Sequence, residues 1–221
     1  MSGTDPYASR RTVACGPDVV HATEVKRSRF IALLRRVDDE AGARQLVADS
    51  RTAHPEARHH CSAWVIGVAG AQPVRHSSDD GEPSGTAGRP MLDVLTGSGL
   101  TDVATVVVRY FGGTLLGTGG LVRAYSEAVA GVLAAAPRVT LVRTDLWDIL
   151  VGHAEAGRVE ADLLARGAVV VERAYGPEGV RLRVADNDGP GLAGAVAAIT
   201  RGAVTPTPAG SRVVETPVRA G

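Results

Sequence analysis

The apolar positions of the chain follow two alternating rhythms, one of period two and one of helical period. Val19 to Val37 is extended in pattern, with Phe30, Ala32 and Leu34 on one side of a strand and Ile31 and Leu33 on the other. Asp38-Asp39-Glu40 then has the character of an N-cap and an acidic first turn, and Ala43, Leu46 and Val47 predict a helix through Arg51. Cys61 to Ala69 alternates around Trp64, Ile66 and Val68 and predicts a strand, with Pro73 to His76 as its hairpin partner or continuation. Pro90 suits the first turn of a short helix through Leu95, closed by Gly97. Val103 to Phe111, almost wholly apolar and β-branched, predicts a central strand covered on both faces. Leu121, Val122, Tyr125, Ala128, Val129, Val132 and Leu133 mark a long amphipathic helix that Pro137 ends.

Beyond Pro137 to Arg143 the rhythm changes. A strand over 144–152, a helix over 154–166 closed by Gly167, strands over 168–175 and 180–185, a helix capped by Asp188 and a last strand through Val213 and Val214 give the order βαββαβ. That is the split βαβ order of ferredoxin-like domains. The expected organisation is therefore a lead-in over 1–18, a first domain over 19–140 and a second over 141–221, in an α+β chain.

Between the predicted strand and short helix lies Ser77-Ser78-Asp79-Asp80-Gly81-Glu82-Pro83-Ser84-Gly85-Thr86-Ala87-Gly88-Arg89-Pro90, too polar to build a core. Its worth must lie in its side chains and exposed N–H groups. A second cluster, Gly112 to Gly120, opens directly into the long helix. Free N–H groups at a helix N-terminus attract anions, and glycine lets a phosphate approach the backbone. Ser84, Gly85, Thr86 and Arg89 of the first loop and Thr118, Gly119, Gly120 and Arg123 of the second are the expected ligand-binding set, meeting in one pocket. A turn whose glycines only satisfy backbone geometry is the competing account. Neither a Walker loop nor the dinucleotide fingerprint is present.

Asp79, Asp80 and Glu82 are open to three uses: capping N–H groups within their own loop, contacting a partner or substrate, or holding a hard cation. His54, His59, His60, Cys61 and His76 form the one metal-like grouping, but His59 and His60 are adjacent and face opposite ways on a strand. No metal site and no cofactor are expected. Lys26, Arg27 and Arg29, with Arg35 and Arg36, form a basic stretch suited to phosphate contact, and Arg181 and Arg183 share a strand face. Pairing of this stretch with Asp38 and Asp39 is the alternative.

The 24 basic and 24 acidic residues balance, so any nucleic-acid binding must be local. Lys26 is the only lysine. Two cysteines without a CxxC pair fit a reducing compartment. No stretch approaches the about 20 apolar residues of a membrane span, and residues 1–11 lack an apolar secretory core. A cytoplasmic location without membrane contact is expected.

Through Lys26-Arg27-Ser28-Arg29-Phe30-Ile31, His59-His60-Cys61, the run from Ser78 to Pro90, and Val107-Val108-Arg109-Tyr110-Phe111-Gly112-Gly113 on to Tyr125, the chain resembles the IMPACT/YigZ family over most of residues 19 to 137. Ser62, where many relatives carry an aromatic, is a minor departure. The resemblance implies a first domain like domain IV of elongation factor G, a fold shared with GHMP small-molecule kinases, and a ferredoxin-like second domain like domain V of that factor. Two functional expectations follow. One is a non-enzymatic translation-associated factor binding RNA or ribosome. The other is an enzyme acting on a phosphorylated small molecule or nucleotide through the glycine-rich loops. Oligomeric state is left open.

Overall fold

The computed structural model describes residues 10–68 and 70–217. Its strands are β1 (Arg10–Val13), β2 (Val19–Val25), β3 (Ser28–Arg36), β4 (His59–Ile66), β5 (Val74–Ser78), β6 (Val103–Tyr110), β7 (Arg138–Val151), β8 (Val169–Gly176), β9 (Gly179–Ala185) and β10 (Thr207–Pro217). Its helices are α1 (Glu40–Ala53), α2 (Gly88–Gly97), α3 (Thr118–Ala135), α4 (His153–Ala165) and α5 (Gly189–Thr200). The chain is a mixed α+β protein with two sheets, and it divides into one unit reaching Leu141 and rejoined from Glu215, and another over Val142–Val214.

In the first unit the sheet order is β2-β3-β6-β4-β5, antiparallel throughout. Strand period sorts its side chains onto two faces. Phe30, Leu34, Cys61, Val65 and Val107 meet Met91 and Leu95 of α2 and Leu121, Tyr125, Val129 and Val132 of α3. Ile31, Trp64, Ile66, Val106 and Val108 meet Ala43 and Leu46 of α1. β6 is therefore covered on both faces, as its unbroken apolar run requires. Asp39 caps α1, its Oδ1 accepting from the Gly42 N–H at 2.8 Å.

Five boundaries depart from the sequence reading. Of the expected lead-in, residues 1–9 lie outside the described residues, but Arg10–Val13 is a strand paired with Arg138–Leu141, because Val13 is buried and Thr12 Oγ1 donates to the Asp102 carbonyl. The extended stretch 19–37 is a hairpin rather than one strand. Lys26 and Arg27 form its two-residue turn, both with positive φ (47° and 65°), the backbone of a type I′ turn. α3 begins at Thr118, three residues before its apolar stripe, and residues 138–141, read as part of a linker, are strand, because Val139 and Leu141 alternate into the interior. Finally, Glu215 groups with the first unit, where it pairs with Arg36, although 141–221 was expected to be one domain.

In the second unit β7 pairs with β9, β9 with β8, and β10 with β7. α4 and α5 place Val159, Leu163, Leu192 and Val196 against Ile149, Leu182 and Val184. Asp188 caps α5 through the Gly191 N–H, and the element order is the βαββαβ of the sequence reading.

Candidate functional site

The acidic loop folds on itself first. Asp80 (φ 42°) and Gly81 (φ 86°) are the centre of a tight turn closed by the Glu82 N–H donating to the Asp79 carbonyl at 3.0 Å. Thr86 then donates twice to the Pro83 carbonyl, from its N–H at 3.0 Å and its hydroxyl at 2.6 Å. Asp79 accepts from the N–H groups of Gly85, Ala87 and Gly88 at 2.8, 3.0 and 2.8 Å, the last two being otherwise orphaned donors at the start of α2 and the first a donor of the loop itself. Burial alone would raise the Asp79 carboxyl, but those three donors outweigh it and hold the group below its ordinary value. Gly88 is required where it stands, since a Cβ there would lie 2.7 Å from the Ser78 backbone.

The other two carboxylates of the loop are committed as well. Asp80 accepts from the His60 N–H at 2.7 Å and pairs with Arg51. Glu82, 8% exposed, accepts from Arg109 Nη1 at 2.6 Å and from the Tyr125 hydroxyl at 2.8 Å. The Cys61 thiol lies 3.3 Å from the same hydroxyl and 3.0 Å from the Asp79 carbonyl. Burial pushes the Cys61 thiol up to about 12 and pushes the Tyr125 hydroxyl up further, so neither ionises near neutrality. Of the three uses open to these carboxylates, the structure displays capping and internal pairing.

Arg109 is a charged residue on a strand otherwise built for burial. Its guanidinium sits 5.5 Å from the Phe30 ring centre and 5.7 Å from that of Phe111, and its Nε has no partner. Above it opens a groove of about 740 Å³ lined by Arg58, His59, Gly81, Pro83, Phe111 and Leu116 among others, and ending at Gly117, Thr118 and Leu121. Phe111 and Leu115, at 58% and 84% exposure, are unusually open for large apolar side chains.

The two glycine-containing loops thus border one groove, but not through the residues expected to provide donors. Thr86 is buried with its hydroxyl spent on Pro83, the Gly85 N–H is spent on Asp79, and exposed Arg89 pairs with Asp93 at 2.9 Å. Ser84 is exposed and is not among the groove-lining residues. From the second loop Thr118 lines the groove, whereas Gly120 and Arg123 line a neighbouring hollow of about 150 Å³ together with Lys26 and Glu127, and Leu116 belongs to both. Gly119 faces open space.

The basic residues divide into two groups. Arg35 is clamped between Asp18 at 2.6 Å and Asp49 at 2.7 Å, and Arg36 pairs with Glu215, so the expected partners Asp38 and Asp39 are not the ones used. In the second unit Arg181 and Arg183 do share a strand face, but Arg183 binds both oxygens of Asp148 at 2.7 and 2.9 Å and reaches Glu172 at 3.1 Å, while Arg181 lies 3.4 Å from Glu172. By contrast Lys26, Arg29 and Arg58 of the first unit, with Arg123, have no ion pair among the described residues, and Arg27 donates to the Thr114 hydroxyl at 3.1 Å. Glu24, Glu56 and Glu127 of this region likewise have no ion pair among the described residues, Glu24 lying opposite Arg29.

The histidines do not converge. His54 meets the Tyr110 hydroxyl at 3.0 Å, His59 the Asp80 carbonyl at 3.0 Å, and His76 stacks on Trp64 at 4.0 Å. Burial lowers the His60 imidazole against the opposing pull of Asp80. Among the described residues no three His, Cys, Asp or Glu side chains gather as a metal would need. Arg109, Tyr125 and Phe111 appear in the sequence analysis only as members of strand, helix and motif runs, and neither they nor Arg58 were expected as site residues. A lone arginine inside a β-branched run was the available signal, since such a charge is buried only when paired.

Comparison with known proteins follows the same residues. The Impact N-terminal domain family matches residues 26–133. IMPACT family member YigZ of Escherichia coli (strain K12) is 54% identical over 106 residues, 48% of this chain and 52% of that protein, so the match spans about half of that relative's length. The IMPACT family member in the pol 5′ region of Thermus thermophilus is 42% identical over 157 residues, 71% of this chain and 83% of that protein. A solved structure described as the crystal structure of a hypothetical protein superposes with a TM-score of 0.59 at 36% identity, covering 90% of this chain and 96% of its own. With its sequence motifs gathered at one groove and a relative matched over most of its length, the chain belongs to the IMPACT family.

Proposed function

We propose that the chain is a non-enzymatic, translation-associated factor that binds RNA or the ribosome through the basic groove end of its first unit. The observation that carries this reading is how the charges are used. Asp79, Asp80 and Glu82 are consumed in holding the loop, while Arg58 lines the open groove, Lys26 and Arg123 line the adjoining hollow and Arg29 is the cross-strand partner of groove-lining Tyr110, all four without an ion pair among the described residues. A surface that offers cations beside exposed apolar side chains, with the carboxylates of the acidic loop and the thiol withdrawn, is suited to holding a phosphate backbone rather than to acid–base or nucleophilic chemistry. The Lys26-Arg27 turn adds support. Two non-glycine residues in left-handed backbone cost of order 1 kcal/mol each, and such strain gathers where a function needs it.

The finer fold assignment belongs to the same proposal. The pairing of β10 with β7, β7 with β9 and β9 with β8 supports a ferredoxin-like second domain, and family membership supports the likeness to domains IV and V of elongation factor G. The alternative, an enzyme acting on a phosphorylated small molecule or nucleotide, is favoured by one observation: a hollow of about 740 Å³ has the size of a small-molecule site.

Crosslinking and copurification of the full chain from cells, with and without RNase, tests the proposal. RNase-sensitive recovery of ribosomal material is expected. Recovery of a stoichiometric small molecule, with no RNA, would replace it with the enzyme reading.

A further inference from the structure

Resting on that reading, we propose that the groove takes an unstacked base of a single RNA strand, with Phe111 as the stacking platform and the free cations as phosphate contacts. Phe111 directly follows β6 at the edge of the groove, and its ring is backed by the Arg109 guanidinium 5.7 Å from its centre. Arg109 in turn lies 5.5 Å from the Phe30 ring, and Phe30 meets Tyr125 edge-on at 5.2 Å. This is a stack with a rigid base. Phe30 and Tyr125 are fully buried and Arg109 is 6% exposed, held by Glu82, whereas Phe111 remains 58% open. A guanidinium fixed beneath an aromatic ring holds that ring in place and leaves its outer part to a ligand.

The walls fit a base and exclude a duplex. Pro83, Leu116 and Leu121 supply apolar sides to the groove, and bases within a duplex have their faces covered by their neighbours. An exposed aromatic is useful only to a base that has left the stack. Charge decides the rest of the occupant. Arg58 lines the groove itself, Arg29 is the cross-strand partner of groove-lining Tyr110, and Lys26 and Arg123 line the adjoining hollow beyond Leu116. Unpaired Glu24, the cross-strand partner of Arg29, and Glu56 and Glu127 sit among them, so the attraction is a small local surplus of positive charge rather than a uniform field. A strand running from one hollow to the next across Leu116 would keep its phosphates near these cations while one base entered the groove. The N–H of Thr118 at the start of α3 adds a donor at the groove's end, and Arg109 is part of the groove's lining.

The experiment is fluorescence anisotropy of the full chain with a labelled single-stranded RNA of mixed sequence and with the same RNA annealed to its complement, both at low salt. The single strand should bind at least about tenfold more tightly than the duplex, and Phe111→Ala should lose about tenfold of single-strand affinity, within the range that removal of a stacking aromatic gives. Phe111→Trp should retain that affinity, and its fluorescence should be quenched by RNA more than that of the unsubstituted protein. Equal melting temperatures of the three proteins confirm that the exposed position has not disturbed folding. Binding of single strand by Phe111→Ala at the original affinity, or equal binding of strand and duplex, overturns this inference and leaves the RNA reading standing. Absence of binding to either RNA, with no RNase-sensitive recovery of ribosomes, removes both.

Discussion

Arg109 Nη1 and Glu82 Oε1 lie 2.6 Å apart, in side chains each more than nine-tenths removed from solvent. This pair ties the acidic loop to the central strand. Breaking a buried pair from one side strands the remaining charge, so Arg109→Ala or Glu82→Ala should each cost about 3–5 kcal/mol. Glu82→Gln, which still accepts from Tyr125, should cost less. Urea unfolding of the variants and of the double replacement measures the coupling, and strict additivity in the double variant would show that the two groups do not act as a pair.

Asp79 makes a separate and pH-dependent contribution. Its folded carboxyl lies below the ordinary 3.8, so the stabilisation it provides is complete above that value and is lost as pH falls through the lower folded one. Asp79→Ala should lose about 2 kcal/mol near neutrality, because the N–H groups of Gly85, Ala87 and Gly88 lose their acceptor. The gap between the two proteins should narrow below about pH 3.8. A constant gap from pH 7 to pH 2 would exclude the charged form as the stabilising species.

Thiol labelling separates the two cysteines. Cys61 is buried with its thiol pushed up to about 12, whereas Cys15 is exposed. At pH 8 the native chain should take up one equivalent of a thiol reagent rapidly and the second only on unfolding. Rapid labelling of both in the native state would contradict the enclosed Cys61–Tyr125–Glu82 arrangement.

Two glycines of the second loop should respond in opposite ways to alanine. A Cβ on Gly112 would lie 2.0 Å from the Arg27 carbonyl carbon, so Gly112→Ala must displace the Lys26-Arg27 turn and should cost about 3 kcal/mol. Gly119 has nothing within 4 Å of the same position, and Gly119→Ala should stabilise by about 0.5 kcal/mol by restricting the unfolded chain. Thermal unfolding of both variants gives the signs directly.

The free and the paired arginines should differ in RNA binding. Arg58→Ala should reduce the slope of log affinity against log salt by about 1, as loss of one phosphate contact does. Arg181→Ala and Arg183→Ala should leave that slope unchanged, because their charges are already matched by Asp148 and Glu172. The reverse ranking, read from salt titrations, would move the interface to the second unit.

The elements were legible in the sequence wherever their signal is local. Asp39 and Asp188 act as caps through N–H groups three residues on, β6 is covered on both faces as its β-branched run demanded, and α3 buries the stripe from Leu121 to Leu133 except for Val122, which is exposed. Neighbours at fixed offsets carry that information, so a single strand of text contains it. The hairpin at Lys26-Arg27 was not legible, because neither residue favours left-handed backbone and the turn becomes visible only when Val25 is opposite Ser28. The use of charge was equally hidden. Glu82 finds Arg109 27 positions away, Arg183 finds Asp148 35 positions away, and Arg58 has no ion pair among the described residues, a difference in partner that no local pattern encodes. Periodicity decides which side of an element a residue occupies, whereas the packing of sheet against helices decides which distant charge it meets, and that pairing alone separates a buried structural ion from a cation left free for a ligand.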